Sequence, residues 1–315
     1  MVNTIYRIKR LLKFNRITGI EARSSVSSYE TGIGTENKIP SITEVDSFFR
    51  EAGVNLAVQA CEKALKEWGG EYNSITHTIA VTCTNQMNPG FDLLVNRELG
   101  LRNNVDRTLL AGVGCAGGLS IMRAAAQIAS GAAMRRRPAR ILCYTCELCT
   151  PLVRMNLEEA ANCKDLKNIH LAAVLFSDAA AAFVLCNEYG MSDREKALFQ
   201  LMEWDTATIP DTVQYMGFIG DPYGMFLISK LHRSWCITDQ WSRLPDYLSE
   251  RSTALYQTGH RPNVPAVTAI VSRASRQRRP KRGGLRLGIA SRWYCHHGRS
   301  QRDGWSDRGS VKSIA

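Results

Sequence analysis

The stretch "LLAGVGCAGGLSIMRAAAQIASGAAM", residues 109–134, decides the fold. The apolar run 107–113 reads as a strand. Glycines 112, 114, 117 and 118 then bracket Cys115, and an Ala-rich run over about 118–134 reads as a long helix. A strand that passes through a tight glycine turn into a helix is the repeating unit of α/β proteins. Cys115 would stand at the N-terminus of that helix, where the partial positive charge and the free N–H groups favour a thiolate. The glycines would let a substrate come close to the backbone, and amides at the turn could hold an oxyanion during acyl transfer. The same residues also describe a small buried side chain packed where a strand meets a helix, and composition alone favours that packing.

The sequence on either side extends the pattern. Ser41 and Glu44 have capping-box spacing, and Val45, Phe48, Phe49, Ala52, Leu56, Ala60, Cys61, Ala64, Leu65 and Trp68 follow at three- and four-residue steps until Gly69-Gly70. That periodicity predicts one amphipathic helix. "HTIAVTC" (77–83) reads as a buried strand, "NQMNPG" (85–90) as a turn-rich loop and "FDLLVNRELG" (91–100) as a second helix. "ARILCYTCEL" (139–148) is a further strand, and "VLFSDAAAAFVLCN" (174–187) is a small-residue turn feeding another. "ALFQLMEWDTATIP" (197–210) reads as the next strand, and "GDPYGMFLISK" (220–230) as a tight turn with a short extended run. The alternation predicts an α/β fold with a mostly parallel sheet.

The chain has 315 residues, enough for one large α/β domain or two smaller halves. Its net charge of +11 is not evenly spread. Residues 1–231 hold 24 Lys+Arg and 24 Asp+Glu, and residues 232–315 hold 16 and 5. The first part is balanced like an ordinary enzyme, and the excess lies in the last quarter. No 18-residue uncharged apolar run predicts a membrane span. The start, "MVNTIYRIKRLLKFNR", alternates basic and apolar residues and does not read as a secretory signal. Ten cysteines without such a signal fit a reducing compartment, with the cytoplasm expected.

Cys143, Cys146 and Cys149 in "CYTCELC" have the spacing of an iron–sulfur ligand run. On one strand, however, Cys146 would face away from Cys143 and Cys149, and no fourth cysteine follows at the expected place. No metal is expected.

"GVGCAGG", "VTCTNQMNPGFDLLVNRELGL", "RPARILCYTCELCTPLVR" and "LFSDAAAA", in that order, strongly resemble fungal type III polyketide synthases. These are the chalcone and stilbene synthase-like enzymes of the thiolase superfamily, and the resemblance runs from about Asn15 to about Lys230. It implies a layered αβαβα fold, incomplete here in its C-terminal half. It divides the chain into an N-terminal half (1–190) carrying the nucleophile, the start of a C-terminal half (191–231) and an atypical Arg-rich tail (232–315). It further implies that Cys115 is the nucleophile loaded from an acyl-CoA starter. Condensation with malonyl-CoA and cyclisation to a pyrone or resorcinol would follow, with these thioesters as substrates and no cofactor. By motif position, Phe176 would gate the pocket, and Cys83 and Cys149 would line it. Arg16 and Arg23 fall loosely in a segment that meets CoA phosphates. The "NQMNPG" loop matches one that crosses a homodimer interface.

Three features depart from the resemblance, one being that the additional strand and helix expected before "LLKFNRITGI" are not found. The family's histidine, in a W-x-x-H-P-G-G-like motif, and its asparagine, in an N-x-S-S-like motif, have no match. His232, His260 and Asn263 are the weak substitutes. The tail holds 14 Arg to 2 Lys with no traceable apolar face, which suggests an irregular segment or one outside the family's reading frame. Three alternatives stay open: an impaired thiolase-fold homologue acting as a dimer partner, a β-ketoacyl synthase III-like condensing enzyme, and nucleic-acid binding by the tail. Neither nucleic acid nor membrane is the expected partner.

Overall fold

The computed structural model describes residues 39–155, 175–192 and 197–202, parts of segment 9–33, and residues 204, 206, 216–221, 224–229 and 267–274. Helix α1 (Ile42–Phe48) begins with the expected capping box. The Ser41 hydroxyl accepts from Glu44 N, and the Glu44 side chain accepts from Ser41 N. Where the periodicity predicted one helix, the chain makes a π-helical turn at Phe49–Gly53 before α2 (Val54–Trp68). The cause is packing. Gly53 lies so close to Leu148 that a Cβ would stand 3.2 Å from its Cδ1, and its carbonyl accepts from the Cys146 thiol at 3.3 Å. Gly69, at φ +80°, ends α2 with its N–H on Leu65 O.

Strands β1 (His77–Val81), β2 (Asp106–Leu110) and β3 (Arg140–Glu147) are parallel, with β1 in the middle. Helix α3 (Phe91–Glu98) and helix α4 (Gly117–Ala133) lie between them in the chain. β4 (Ala179–Asn187) runs antiparallel to β3. The six-stranded sheet has the order β2-β1-β3-β4-β8-β5, with β5 at Phe199–Leu201 and β8 at Val267–Ala274. The sheet is therefore mixed, because β4, β8 and β5 each oppose their neighbour. Of the strand expected at 197–210, the described residues place Phe199–Leu201 in the sheet.

β6 (Met216–Asp221) and β7 (Gly224–Ser229) pair as a hairpin where a tight turn was expected. β8 falls within the Arg-rich tail, which the sequence suggests is irregular or outside the family's reading frame. Its run "VTAIV" is rich in β-branched residues, a strand signal hidden among arginines.

Successive residues of β3 serve two cores. Leu142, Tyr144 and Cys146 pack with α2, whereas Ile141 and Cys143 pack with α4. Phe49, Phe91 and Tyr144 form two edge-to-face contacts at 5.5 and 5.7 Å, each adding about 0.5–1.5 kcal/mol beyond burial. On the α4 side, Ala125, Ala126 and Ala129 are fully buried, so small side chains let the helix sit close to the sheet. Among the described residues no helix is long and apolar enough to cross a membrane.

Candidate active site

The carboxyl ends of β1, β2 and β3 lie side by side, with Val81 level with both Leu110 and Thr145. Each strand runs on into a cysteine: Cys83 two residues past Val81, Cys115 five past Leu110 and Cys149 two past Glu147. β2 stops at Leu110, short of the expected 113, because the chain turns with Gly112 at φ +71° and Gly114 at φ +62°. A single 3-10 turn (Gly114–Ala116) then carries Cys115 into α4.

Helix α4 is pressed onto the strand ends. A Cβ on Gly117 would lie 2.8 Å from Val81 Cγ2, and one on Gly118 would lie 4.0 Å from Thr145 Cγ2. Cys115 is exposed, the Gly117 N–H donates to Gly114 O, and among the described residues no side chain caps the N-terminus of α4, which leaves its next amides without a side-chain acceptor beside the thiol. A thiol with amide donors beside it suits thioester formation.

The neighbouring thiols are less exposed than Cys115. Cys83 is half-buried and its pKa is pushed up to about 12, first by burial, then by the Glu147 charge and hydrogen bond, and then by Cys115. Cys149 is buried and pushed up by burial, then by Glu147, Asp178, Cys83 and Cys115. The three thiols therefore form one electrostatic cluster. Phe176 is half-buried and packs with Cys149, Leu152, Met155 and Ile39. A small apolar cavity opens beside them, lined by Pro40, Val45, Thr84, Leu148, Pro151, Leu152 and Met155.

Two carboxylates that carry no motif of their own hold this end together. Glu147 accepts from Cys83 N at 2.9 Å, Thr84 N at 3.0 Å, Thr84 Oγ1 at 2.7 Å and Thr82 Oγ1 at 3.2 Å. Asp178 accepts from Cys149 N at 2.6 Å, Thr150 N at 2.8 Å and Val26 N at 3.0 Å, and also from the Thr150 hydroxyl. The one hint in the sequence was a lone acid inside each apolar run, "CELC" and "FSDA".

Arg16 lies on an exposed helical turn, and Arg23 is half-buried, with Nη1 buried and without a hydrogen-bond partner among the described residues. The "NQMNPG" loop is tied to α1 by Asn85 Nδ2 on Asp46 Oδ1 at 2.8 Å, and to the π turn by Arg50 Nη2 on Pro89 O at 3.2 Å. Cys143, Cys146 and Cys149 fall in three different packing clusters, which rules out their converging on one metal. His232, His260 and Asn263 lie outside the described residues.

Residues 28–188 match the family "Chalcone and stilbene synthases, N-terminal domain". The chain is 60% identical over 218 residues to the type III polyketide synthase pspB of Penicillium soppii, covering 69% of this chain and 55% of that protein. It is 42% identical over 189 residues to the acylalkylpyrone synthase csyB of Aspergillus oryzae, covering 60% and 47%. A crystal structure of CsyB complexed with CoA-SH superposes with a TM-score of 0.68 at 36% identity, over 71% of this chain and 59% of that one. The fold is thus thiolase-like, as expected. The chain spans about half the length of the curated relatives it matches.

Proposed function

This chain belongs to the chalcone and stilbene synthase family, and from that premise we propose that it carries the acyl-loading half of a type III polyketide synthase site. Cys115 attacks the thioester carbonyl of an acyl-CoA starter. The new carbon–sulfur bond forms as CoA thiolate leaves, and amides at the start of α4 hold the oxyanion. The bound acyl group is then extended by an enolate from decarboxylated malonyl-CoA, and the β-keto chain cyclises to a pyrone or resorcinol. Thiol and thioesters carry this chemistry without a cofactor. Phe176, Cys83 and Cys149 border the acyl chain, and Arg16 and Arg23 meet CoA phosphates.

The observation that supports this reading is the exposed Cys115 at the uncapped start of α4, above the ends of three parallel strands. The names of the relatives favour it over a β-ketoacyl synthase or an inactive dimer partner. We also propose a homodimer in the cytoplasm. The sheet edge β2, which carries Leu109 at 37% exposed, offers a strand for a second copy. The division at 190 and 231 is part of the same proposal, although β8 takes some of the tail into the main sheet.

Incubation of the purified chain with malonyl-CoA and short- or long-chain acyl-CoA tests the reading, with intact-mass analysis of the protein and extraction of products. An acyl adduct on Cys115 that disappears in Cys115→Ala is expected. Loading that persists in that variant would refute the assignment.

A further inference from the structure

Three thiols meet at the ends of three adjacent strands, but only one of them should carry the acyl group. Exchange of an acyl group between neighbouring thiols is simple chemistry. A Cys83 thiolate attacking the Cys115 thioester would form one carbon–sulfur bond, break the other and release the Cys115 thiolate, with no net change in charge. Something must keep the neighbours from reacting.

Glu147 stands where it could do this. Its two oxygens accept from the Cys83 and Thr84 amides and the Thr82 and Thr84 hydroxyls, all neutral donors on the segment just past β1. The Cys83 amide hydrogen bond, at 2.9 Å, brings the carboxylate close to the Cys83 side chain, whose pKa it raises. Among the described residues no lysine or arginine pairs with this carboxylate. Its charge acts on the thiols around it, raising the cost of a thiolate at Cys83 and Cys149. We propose that Glu147 is a positioning residue that decides which thiol reacts, keeping Cys83 protonated and leaving Cys115 as the member of the cluster open to acylation. This deepens the function proposed above and rests on it.

The charged and titratable neighbours agree with the assignment. Cys83 feels Glu147 from β3 and Cys115 from the start of α4. Cys149 feels Glu147, Asp178 from the start of β4, and the two other thiols. Each of these raises the cost of a thiolate at the neighbour. Cys115 is the exposed member of the three, at a helix N-terminus that favours an anion.

The test is alkylation of the full-length chain by iodoacetamide, with each cysteine followed by peptide mass spectrometry between about pH 6 and 10. In the wild type, Cys115 should react first. The Cys83 rate should climb about tenfold per pH unit without levelling off, as a thiol titrating above the range does. In Glu147→Gln, which keeps the volume and removes the charge, the ratio of Cys83 to Cys115 rates at about pH 8 should rise roughly tenfold for each unit by which the Cys83 pKa falls. A purely structural role would loosen all three cysteines together and leave the ratio unmoved. An unchanged ratio in a folded Glu147→Gln chain overturns the proposal. So does a Cys83 plateau below about pH 9 in the wild type, which decides the matter if the variant fails to fold. No CoA ester takes part, so loss of the synthase reading through the Cys115→Ala test is a separate result from failure of this one.

Discussion

Gly117→Ala should displace the nucleophile without touching it. The backbone at Gly117 is ordinary right-handed helix, φ −54°, so alanine meets no torsional strain there. The obstacle is Val81, 2% exposed at the end of β1, whose Cγ2 and Cγ1 would lie 2.8 and 3.1 Å from the new methyl. A β-branched side chain on a central strand has little rotamer freedom to withdraw. The start of α4 must move outward instead, by several tenths of an ångström or more, and Cys115 lies two residues before the contact.

Overpacking of this kind costs about 1–3 kcal/mol, and the helix preference of alanine over glycine returns up to about 1 kcal/mol. The net loss is about 1–2 kcal/mol, or a Tm lower by roughly 2–8 °C for a domain of this size. The loss in acyl loading should be larger than the stability change suggests, because a misplacement of about 1 Å at a reacting atom can cost about 100-fold. Loading rates by intact-mass time courses and Tm by calorimetry measure both. Gly118→Ala is the control, since its methyl would meet Thr145 Cγ2 at an ordinary 4.0 Å and should leave loading intact. Val81→Ala placed in the Gly117→Ala background should restore part of the rate by making room. Equal loading and equal Tm in Gly117→Ala and wild type would refute the claim that α4 is clamped against β1.

Asp178→Asn turns an acceptor oxygen into an NH2 group facing the amides of Cys149, Thr150 and Val26, and should cost about 2–3 kcal/mol in denaturant unfolding; a change below about 0.5 kcal/mol would count against the latch it forms between segment 24–26 and β4. Burial raises the pKa of Glu147 above its ordinary 4.5, so the folded chain keeps that proton to higher pH than the unfolded chain. Stability is therefore lost as pH rises from the unfolded value through the folded one, and Glu147→Gln should remove that slope. The stability of the variant relative to wild type should climb as pH rises above about 4.5 in urea titrations, and a constant difference would contradict the shift. If the β2 edge meets a second copy, Leu109→Arg should shift sedimentation from dimer toward monomer, and identical profiles would place any interface elsewhere.

Local patterns in the sequence revealed the N-terminal half, but not where long-range pairing decides. The capping box at Ser41, the glycine stop at Gly69 and the Ala-rich α4 each follow from short-range chemistry, and all appear where expected. Strand direction does not follow from such patterns. Apolar periodicity reads the same up or down a strand, so the antiparallel setting of β4 against β3 was not visible. The π turn at Phe49–Gly53 depends on contact with β3, about a hundred residues away, which no helical periodicity carries.

The site divides along the same line. Cys115 was legible because glycines at fixed offsets are the mark of a backbone that must turn sharply and approach closely. Gly112 and Gly114 do take positive φ, and Gly117 does press on Val81. Glu147 and Asp178 were not legible, because their partners are mostly backbone amides, and amides leave no trace in a sequence. A lone acid in an apolar strand could have been read the other way round, as a group whose burial must be compensated and whose donors should be sought at the ends of adjacent strands. In this fold that search leads to the loop past β1 for Glu147, and to the turn past β3 for Asp178. Those two segments hold Cys83 and Cys149, so the acids that brace the strand ends are also the charges that set the neighbours of Cys115 apart from it.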